Sequence, residues 1–427
     1  MELPIGIKQL ISEIKDLCGA EHADWAEVFE KTFADTIKNA MIEDENGIFV
    51  LTGDIPAMWQ RDSTAQVRPY LIAAKDDPET AAIIKKVLKR QFFNMRLDPY
   101  ANAFNQVPNN QGHQTDETEM GPWIWERKYE IDSLCYPINL AYLYWKNTGD
   151  ASIFDEEFKS AIKKAVDVMR TEIHHEVSPY KFQRFIDRPE DTLVNGGTGP
   201  DFAYTGMTWC GFRPSDDACE YSYSIPENMF AKLVLNQLHE IYTQIAGIED
   251  DDLAGECSNI AEEIDQGIKK YGLIEDQTGK TVFAYEVDGR GNHLFMDDAN
   301  VPDLTSMPYL GSIDAGNVIY QNTRKAALSK QNKYYYEGKY AAGLGSPHTP
   351  EGYVWHIGLA IAGLTTDDKE EQERTLNTLI ATSAGTKMMH EGFDPNDPSK
   401  YTREWFSWAN MMFCELLLAY FDKTISK

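Results

Sequence analysis

Apolar residues return at three- and four-residue steps along most of this chain, and the pattern is plainest near its end. Trp405, Trp408, Met412, Leu416 and Tyr420 mark one face of a predicted helix over 402–423. The same spacing predicts helices near 6–18, 24–42, 62–75, 79–96, 130–147, 152–177, 226–246, 257–271, 317–330, 352–364 and 367–383. In the first of these, Ile7, Leu10, Ile11, Ile14 and Leu17 share a face. Strand candidates are short, 47–52 and 281–287, the size of hairpin arms. The pattern predicts an all-α fold.

Long segments rich in Gly, Pro, Asp and aromatics separate the helices, at 98–125, 188–217, 289–309, 343–353 and 390–401. Loops of that length inside a compact domain commonly carry function. No Ser/Gly linker, low-complexity tract or fixed-period repeat interrupts the chain. The expectation is therefore one domain over 1–427, a barrel of paired helices with its long loops gathered into a pocket at one end.

Composition narrows the partners. A formal net charge of −28 repels phosphate backbones and anionic headgroups, which excludes nucleic acid and membrane surfaces and suits a neutral ligand such as a sugar. Lys8, Glu13, Lys15 and Asp16 interrupt the opening segment, so no signal-peptide core is expected there. Cys18, Cys135, Cys210, Cys219, Cys257 and Cys414 are scattered without a C-x-x-C pair, which points to reduced thiols and a cytoplasmic location.

Three clusters carry candidate chemistry. In 51–63, Asp54, Trp59, Arg61 and Asp62 could grip sugar hydroxyls, although Asp62 equally suits a helix cap. In 205–218, glycines and a proline bend the chain and then present Arg213, Asp216 and Asp217. Ser215 is a fair N-cap, so this cluster equally reads as a helix start. In the third, His390 and Glu391 sit at a turn, with Arg403, Glu404 and Trp408 opening the last helix.

Trp59, Trp125 and Trp408 stand among Asp, Glu, Arg and His, the mixture a pyranose requires. Aromatic faces cover its C–H side while charged groups bond its hydroxyls. His348, in a rigid Gly-Ser-Pro-His turn, is a further candidate. No metal is expected: His390-Glu391 lacks the second histidine of H-E-x-x-H, and neither Asp297-Asp298 nor Asp116-Glu117 follows the EF-hand pattern. His174-His175-Glu176 reads as solvated helix surface. No nucleophile elbow, phosphate loop or dinucleotide fingerprint is present, so no cofactor is expected.

The segments LTGDIPAMWQRDSTAQVRPYL, WIWERKYEIDSLCYP, DTLVNGGTGPDFAYTGMTWCGFRPSDD, GLGSPHT and REWFSWANMMFCELLL occur here in order. Together they resemble glycoside hydrolase family 125, bacterial and fungal exo-α-1,6-mannosidases, over about residues 25 to 423. The resemblance implies an (α/α)6 barrel, hydrolysis with inversion, no metal, and release of non-reducing terminal α-1,6-linked mannose from a mannose-containing oligosaccharide. It also implies Asp216 as general acid and Glu391 as general base, with Glu404 the nearby alternative. Asp54, Trp59, Arg61, Asp62 and His348 match motifs expected to line the sugar subsite.

An inverting pair should stand roughly 6.5–9.5 Å apart, to admit a water. Its acid must stay protonated, which a helix N-terminus at Asp216 would oppose and burial or the charge of Asp217 would favour. Two other functions share these residues: an epimerase using His348 and His390 as acid and base, and a mannoside-binding protein without turnover.

Overall fold

The computed structural model describes residues 1–186 and 188–427, and helices dominate them. Most of the predicted helices are present, with ends set by local chemistry. Asp155, Asp250, Asn317 and Asp368 cap the helices Glu156–Ile173, Asp251–Tyr271, Val318–Ala327 and Lys369–Ala381, their side chains accepting orphan N–H groups of the first turn. Asp251–Tyr271 starts six residues before its predicted position, because Asp250 caps it and Asp251 and Asp252 lie in its first turn.

Other predicted helices are divided. The stretch predicted over 62–75 becomes Gln60–Val67, a 3-10 turn Arg68–Tyr70 and Leu71–Ala74, and Pro69, which lacks an N–H, sits at the break. The stretch over 24–42 is Ala23–Asp35, then a π turn Thr36–Ala40, and then the strand Met41–Asp44, which pairs with Gly47–Val50. In the first helix, Ile5–Cys18, the buried face is Ile7, Leu10, Ile11, Ile14 and Cys18, and Leu17 is exposed. The 281–287 run serves two ladders: Thr281–Phe283 pairs with Leu273–Glu275, and Glu286–Val287 lies between Tyr223–Ser224 and His293–Leu294.

The chain divides into two compact units. One comprises Met1–Arg90, Leu143–Ile153 and Tyr334–Lys427, the other Gln91–Tyr142 and Phe154–Lys333. At the centre of the first is the last helix, Ser407–Tyr420, which packs on Ala23–Asp35, Gln60–Val67, His356–Leu364 and Lys369–Ala381. Every residue from Ser407 to Leu418 is buried, as expected of a helix surrounded on all sides.

Its polar groups are paired. Ser407 meets Thr36 at 2.8 Å, Asn410 accepts the Met389 N–H at 2.8 Å, and Glu415 forms an ion pair with Arg68. Both members of that ion pair are buried, so removing one charge takes a close counter-ion from the other. Glu415→Gln is expected to lower unfolding free energy by about 3 kcal/mol, read from urea denaturation.

In the second unit, Ile225–Gln244 and Asp251–Tyr271 form an antiparallel pair. Buried Asn228, on the former, accepts the Thr208 N–H at 2.9 Å and donates to the carbonyls of Thr208 and Ser224 at 3.1 and 2.8 Å. That pins the start of the 205–218 segment to a helix. The histidine pair late in 152–177 departs from the expected solvated surface. Glu156–Ile173 ends early, and His175 is buried, stacked 3.6 Å from the Trp209 ring and 2.5 Å from Glu172, while His174 stays exposed. All six cysteines are free and buried. Among the described residues no helix is long and apolar enough to cross a membrane.

Candidate active site

The candidates divide between the units, and each group is built by loops that helix ends and short ladders hold in place. In the first unit the 51–59 loop runs against 402–407. Gly53 bridges Phe406 at φ 141°, and a Cβ there would meet the Trp405 carbonyl at 2.1 Å, so only glycine fits. The Asp54 N–H donates to that same carbonyl at 3.1 Å. Its carboxylate accepts from Arg403 Nε at 2.8 Å and Nη2 at 2.5 Å. Arg403 has φ 55° and lies over the Phe406 ring at 4.3 Å. This backbone explains why the last helix starts at Ser407 rather than near 402: residues 402–406 pair with other loops instead of with their own helix.

Trp59 is the residue before Gln60–Val67, and its buried indole N–H has no hydrogen-bond partner among the described residues. Asp62 does not cap that helix. It lies in the first turn and accepts a hydrogen bond from the Thr52 hydroxyl. Arg61 is buried, with its guanidinium 5.8 Å from the Trp408 ring centroid, and Trp408 itself is only 2% exposed.

Glu391 precedes the strand Gly392–Asp394, which pairs Gly392 with Trp355 and Phe393 with Val354. The Trp355 indole donates to Thr349 at 2.8 Å, and half-buried His348 lies 6.4 Å from the Trp355 ring. A ladder thus sets the His348 loop beside the strand that Glu391 opens. Glu391 is 8% exposed, and its carboxylate accepts no hydrogen bond and forms no ion pair among the described residues. Glu404, by contrast, is exposed.

His390 is fully buried. Its ring meets the Arg403 carbonyl at 2.9 Å and the Thr386 hydroxyl at 3.0 Å and stacks on Tyr401 at 3.7 Å, while its N–H donates to His356 at 2.8 Å. Burial holds both imidazoles below their ordinary value, His356 at about 3. Both ring nitrogens of His390 are engaged by protein, so its geometry suits holding Glu391 and Arg403 rather than touching a ligand.

In the second unit no helix begins at Asp216; the next one, Ile225–Gln244, starts nine residues later. Residues 213–217 instead form a tight turn. The Asp216 N–H donates to the Arg213 carbonyl at 2.9 Å and the Arg213 N–H to the Asp217 carbonyl at 2.8 Å. Asp216 occupies φ 66°, a left-handed conformation seldom taken by residues other than glycine, and strain of this kind gathers at functional sites. Ser215 is therefore not an N-cap, and Asp216 does not open a helix.

Asp217 and Arg213, expected to bind ligand, are buried and engaged by protein. Arg188 donates to Asp217 at 2.7 Å, and Arg213 donates to Glu286 at 2.5 Å. They brace the turn that lifts Asp216, which is half-buried, to its position. Lys128 donates to the Asp216 carbonyl at 2.6 Å and to Asp191 at 2.7 Å. Trp125 is half-buried in the strand Ile124–Glu126, which pairs with Ala103–Phe104.

Reasoning from the sequence missed Asn102, Lys128, Arg188 and Glu286, which hold this turn or touch Asp216, and Glu126, which shares the Asn102 amide with Asp216. Glu126 and Lys128 stood in view within WIWERKYE; Asn102 gave no signal. Among the described residues no group of three or more His, Cys, Asp or Glu is arranged to hold a metal ion.

The model of the metal-independent alpha-mannosidase family, GH125, matches residues 22–418. The chain belongs to this family. It is therefore a glycoside hydrolase, an alpha-mannosidase. A Streptococcus pneumoniae metal-independent alpha-mannosidase, solved as a non-productive substrate complex with alpha-1,6-mannobiose, is 50% identical, with 98% of each chain covered and a TM-score of 0.95. The meiotically up-regulated gene 157 protein of Schizosaccharomyces pombe is 36% identical, over 96% of this chain and 85% of its own. A GH78 rhamnosidase of Bacillus sp. GL1 shares only the fold, at 11% identity and a TM-score of 0.54 over 92% of this chain and 34% of that one.

Proposed function

We propose that this mannosidase removes non-reducing terminal α-1,6-linked mannose from oligosaccharides with inversion, on a single-domain (α/α)6 barrel in the cytoplasm and without a cofactor. Protonated Asp216 donates to the glycosidic oxygen as the C1–O bond breaks. Ionised Glu391 takes a proton from the water that attacks C1 from the opposite face. The observation that carries the reading is Glu391, a nearly buried carboxylate without a protein partner. Its lone pairs are uncommitted, as a water activator requires, whereas Glu404 is exposed. The linkage is supported by the Streptococcus pneumoniae relative, whose complex holds alpha-1,6-mannobiose.

Asp54, Arg403, Trp59, Arg61, Asp62, His348 and Trp125 are assigned to hold the sugar. Asp54 and Arg403 present one paired clamp, and the free indole N–H of Trp59 supplies a donor that a hydroxyl would satisfy. The paired-histidine epimerase finds no support in His390, whose two ring nitrogens are already bonded.

Defined α-1,2-, α-1,3- and α-1,6-mannobioses, followed by proton NMR, test the reading. The expected result is cleavage of the α-1,6 dimer alone, with β-mannose appearing first. First release of α-mannose would overturn inversion, preference for another linkage would overturn the specificity, and binding without turnover would leave a lectin.

A further inference from the structure

Behind Asp216 lies a buried group of charges organised by one amide. Asn102 is fully buried, and its Nδ2 stands 3.0 Å from Glu126 Oε2, 3.2 Å from Glu130 Oε1 and 3.3 Å from Asp216 Oδ1. Its Oδ1 accepts the Lys128 N–H at 3.1 Å, which fixes the amide's orientation: the oxygen must face that donor, so the nitrogen faces the carboxylates. Two amide hydrogens thus serve three carboxyl groups. The Glu126 and Asp216 oxygens both lie near the same nitrogen, so they stand no more than about 6 Å apart, within the range where like charges repel.

The surrounding charges decide which of the two keeps a proton. Arg184 donates to Glu126 at 2.8 Å, and Lys128 Nζ lies 3.7 Å from it. Burial acts to raise the Glu126 carboxyl, and so would a charge on Asp216, yet Lys128 and Arg184 hold Glu126 below its ordinary value even with Asp216 ionised. Glu126 is therefore the anion. Lys128 directs its ammonium at the Asp216 carbonyl and at Asp191; its charge acts on Glu126, Asp216 and Asp191 together, so it favours ionisation of Asp216 while Glu126 opposes it. Glu130 accepts from Ser133 at 3.0 Å as well as from Asn102, and Asp217 is paired with Arg188.

We infer that Glu126 and Asn102 act on the reaction through Asp216: the standing charge of Glu126 keeps the proton on the Asp216 carboxyl, and Asn102 aims it. Both are positioning residues, and the inference rests on reading Asp216 as the general acid. It predicts a division between substrates. A natural disaccharide needs a proton on its departing oxygen; an aryl mannoside with a strongly acidic phenol as leaving group does not.

The test is the pH profile of kcat/KM for Glu126→Gln on α-1,6-mannobiose. Its alkaline limb is expected about one unit lower, since a neighbouring negative charge has been removed from the acid. Hydrolysis of 2,4-dinitrophenyl α-mannoside should change by less than about threefold. Asn102→Ala should lower kcat on mannobiose by about tenfold with KM little changed, again sparing the activated substrate. Circular dichroism and the melting temperature establish that each variant folds, and if Glu126→Gln does not, Asn102→Ala decides the matter.

An unmoved alkaline limb, or equal losses on both substrates, would overturn the inference. Asp216→Asn separates its failure from failure of the acid assignment. If Asp216→Asn shows no dependence on the leaving group, the acid is elsewhere; if it does while Glu126→Gln leaves the limb in place, only the role of Glu126 falls.

Discussion

Glu391→Gln should reduce turnover of α-1,6-mannobiose by at least about a thousandfold while the melting temperature stays near that of the parent chain. The amide keeps the size of the carboxylate and loses its basicity. Because the carboxylate has no protein partner among the described residues, its replacement breaks no ion pair or hydrogen bond, and stability should be little affected. Removing a buried, paired carboxylate such as Glu415 would do the opposite.

Sodium azide sharpens the test. Azide attacks without surrendering a proton, so with Glu391→Ala it should restore cleavage of an activated α-mannoside and form β-mannosyl azide. An α-mannosyl azide would indicate a glycosyl-enzyme intermediate and overturn the inverting assignment. Full activity in Glu391→Gln, with loss in Glu404→Gln, would move the base to Glu404.

The helical class was legible because periodicity reports burial, and buried faces here follow the helical step. Ile7, Leu10, Ile11 and Ile14 lie inward as their spacing requires. Where periodicity failed, tertiary pairing had overridden it. Residues 402–406 carry the apolar spacing of the last helix, yet they bond to the 51–54 and 390–392 loops and turn at Arg403, so the helix begins late. His175 looked solvated because its neighbours are charged. Its partners, Trp209 and Glu172, lie 34 residues ahead and one turn back, and only the first distance hides from a helical reading.

Site residues were legible unevenly, and for a physical reason. Sequence shows side-chain chemistry and not which groups already have partners. Asp216 and Asp217 are adjacent and alike on paper. In the fold Asp217 is fully buried against Arg188, whereas Asp216 is half-buried on a strained left-handed turn, and the difference lies in backbone geometry. His390 and Glu391 are likewise neighbours with different positions: the imidazole is held at both nitrogens, and the carboxylate is unheld. Asn102 lay outside any motif, since a single amide 114 residues from Asp216 becomes visible only once its contacts are drawn.

Asp216→Asn should separate substrates by leaving group more sharply than any other change. Asparagine keeps the shape of the side chain and tolerates a left-handed backbone, so the 213–217 turn should persist. It offers no acidic proton, so on α-1,6-mannobiose, whose departing alkoxide is strongly basic, the expected fall in kcat is about a thousandfold or more. On 2,4-dinitrophenyl α-mannoside the departing phenolate needs no proton, and the loss should shrink to about tenfold or less. The alkaline limb that Asp216 sets on α-1,6-mannobiose should also vanish from the residual activity, because the group that must stay protonated is gone. Equal losses on both substrates would show that Asp216 supports the turn and nothing more.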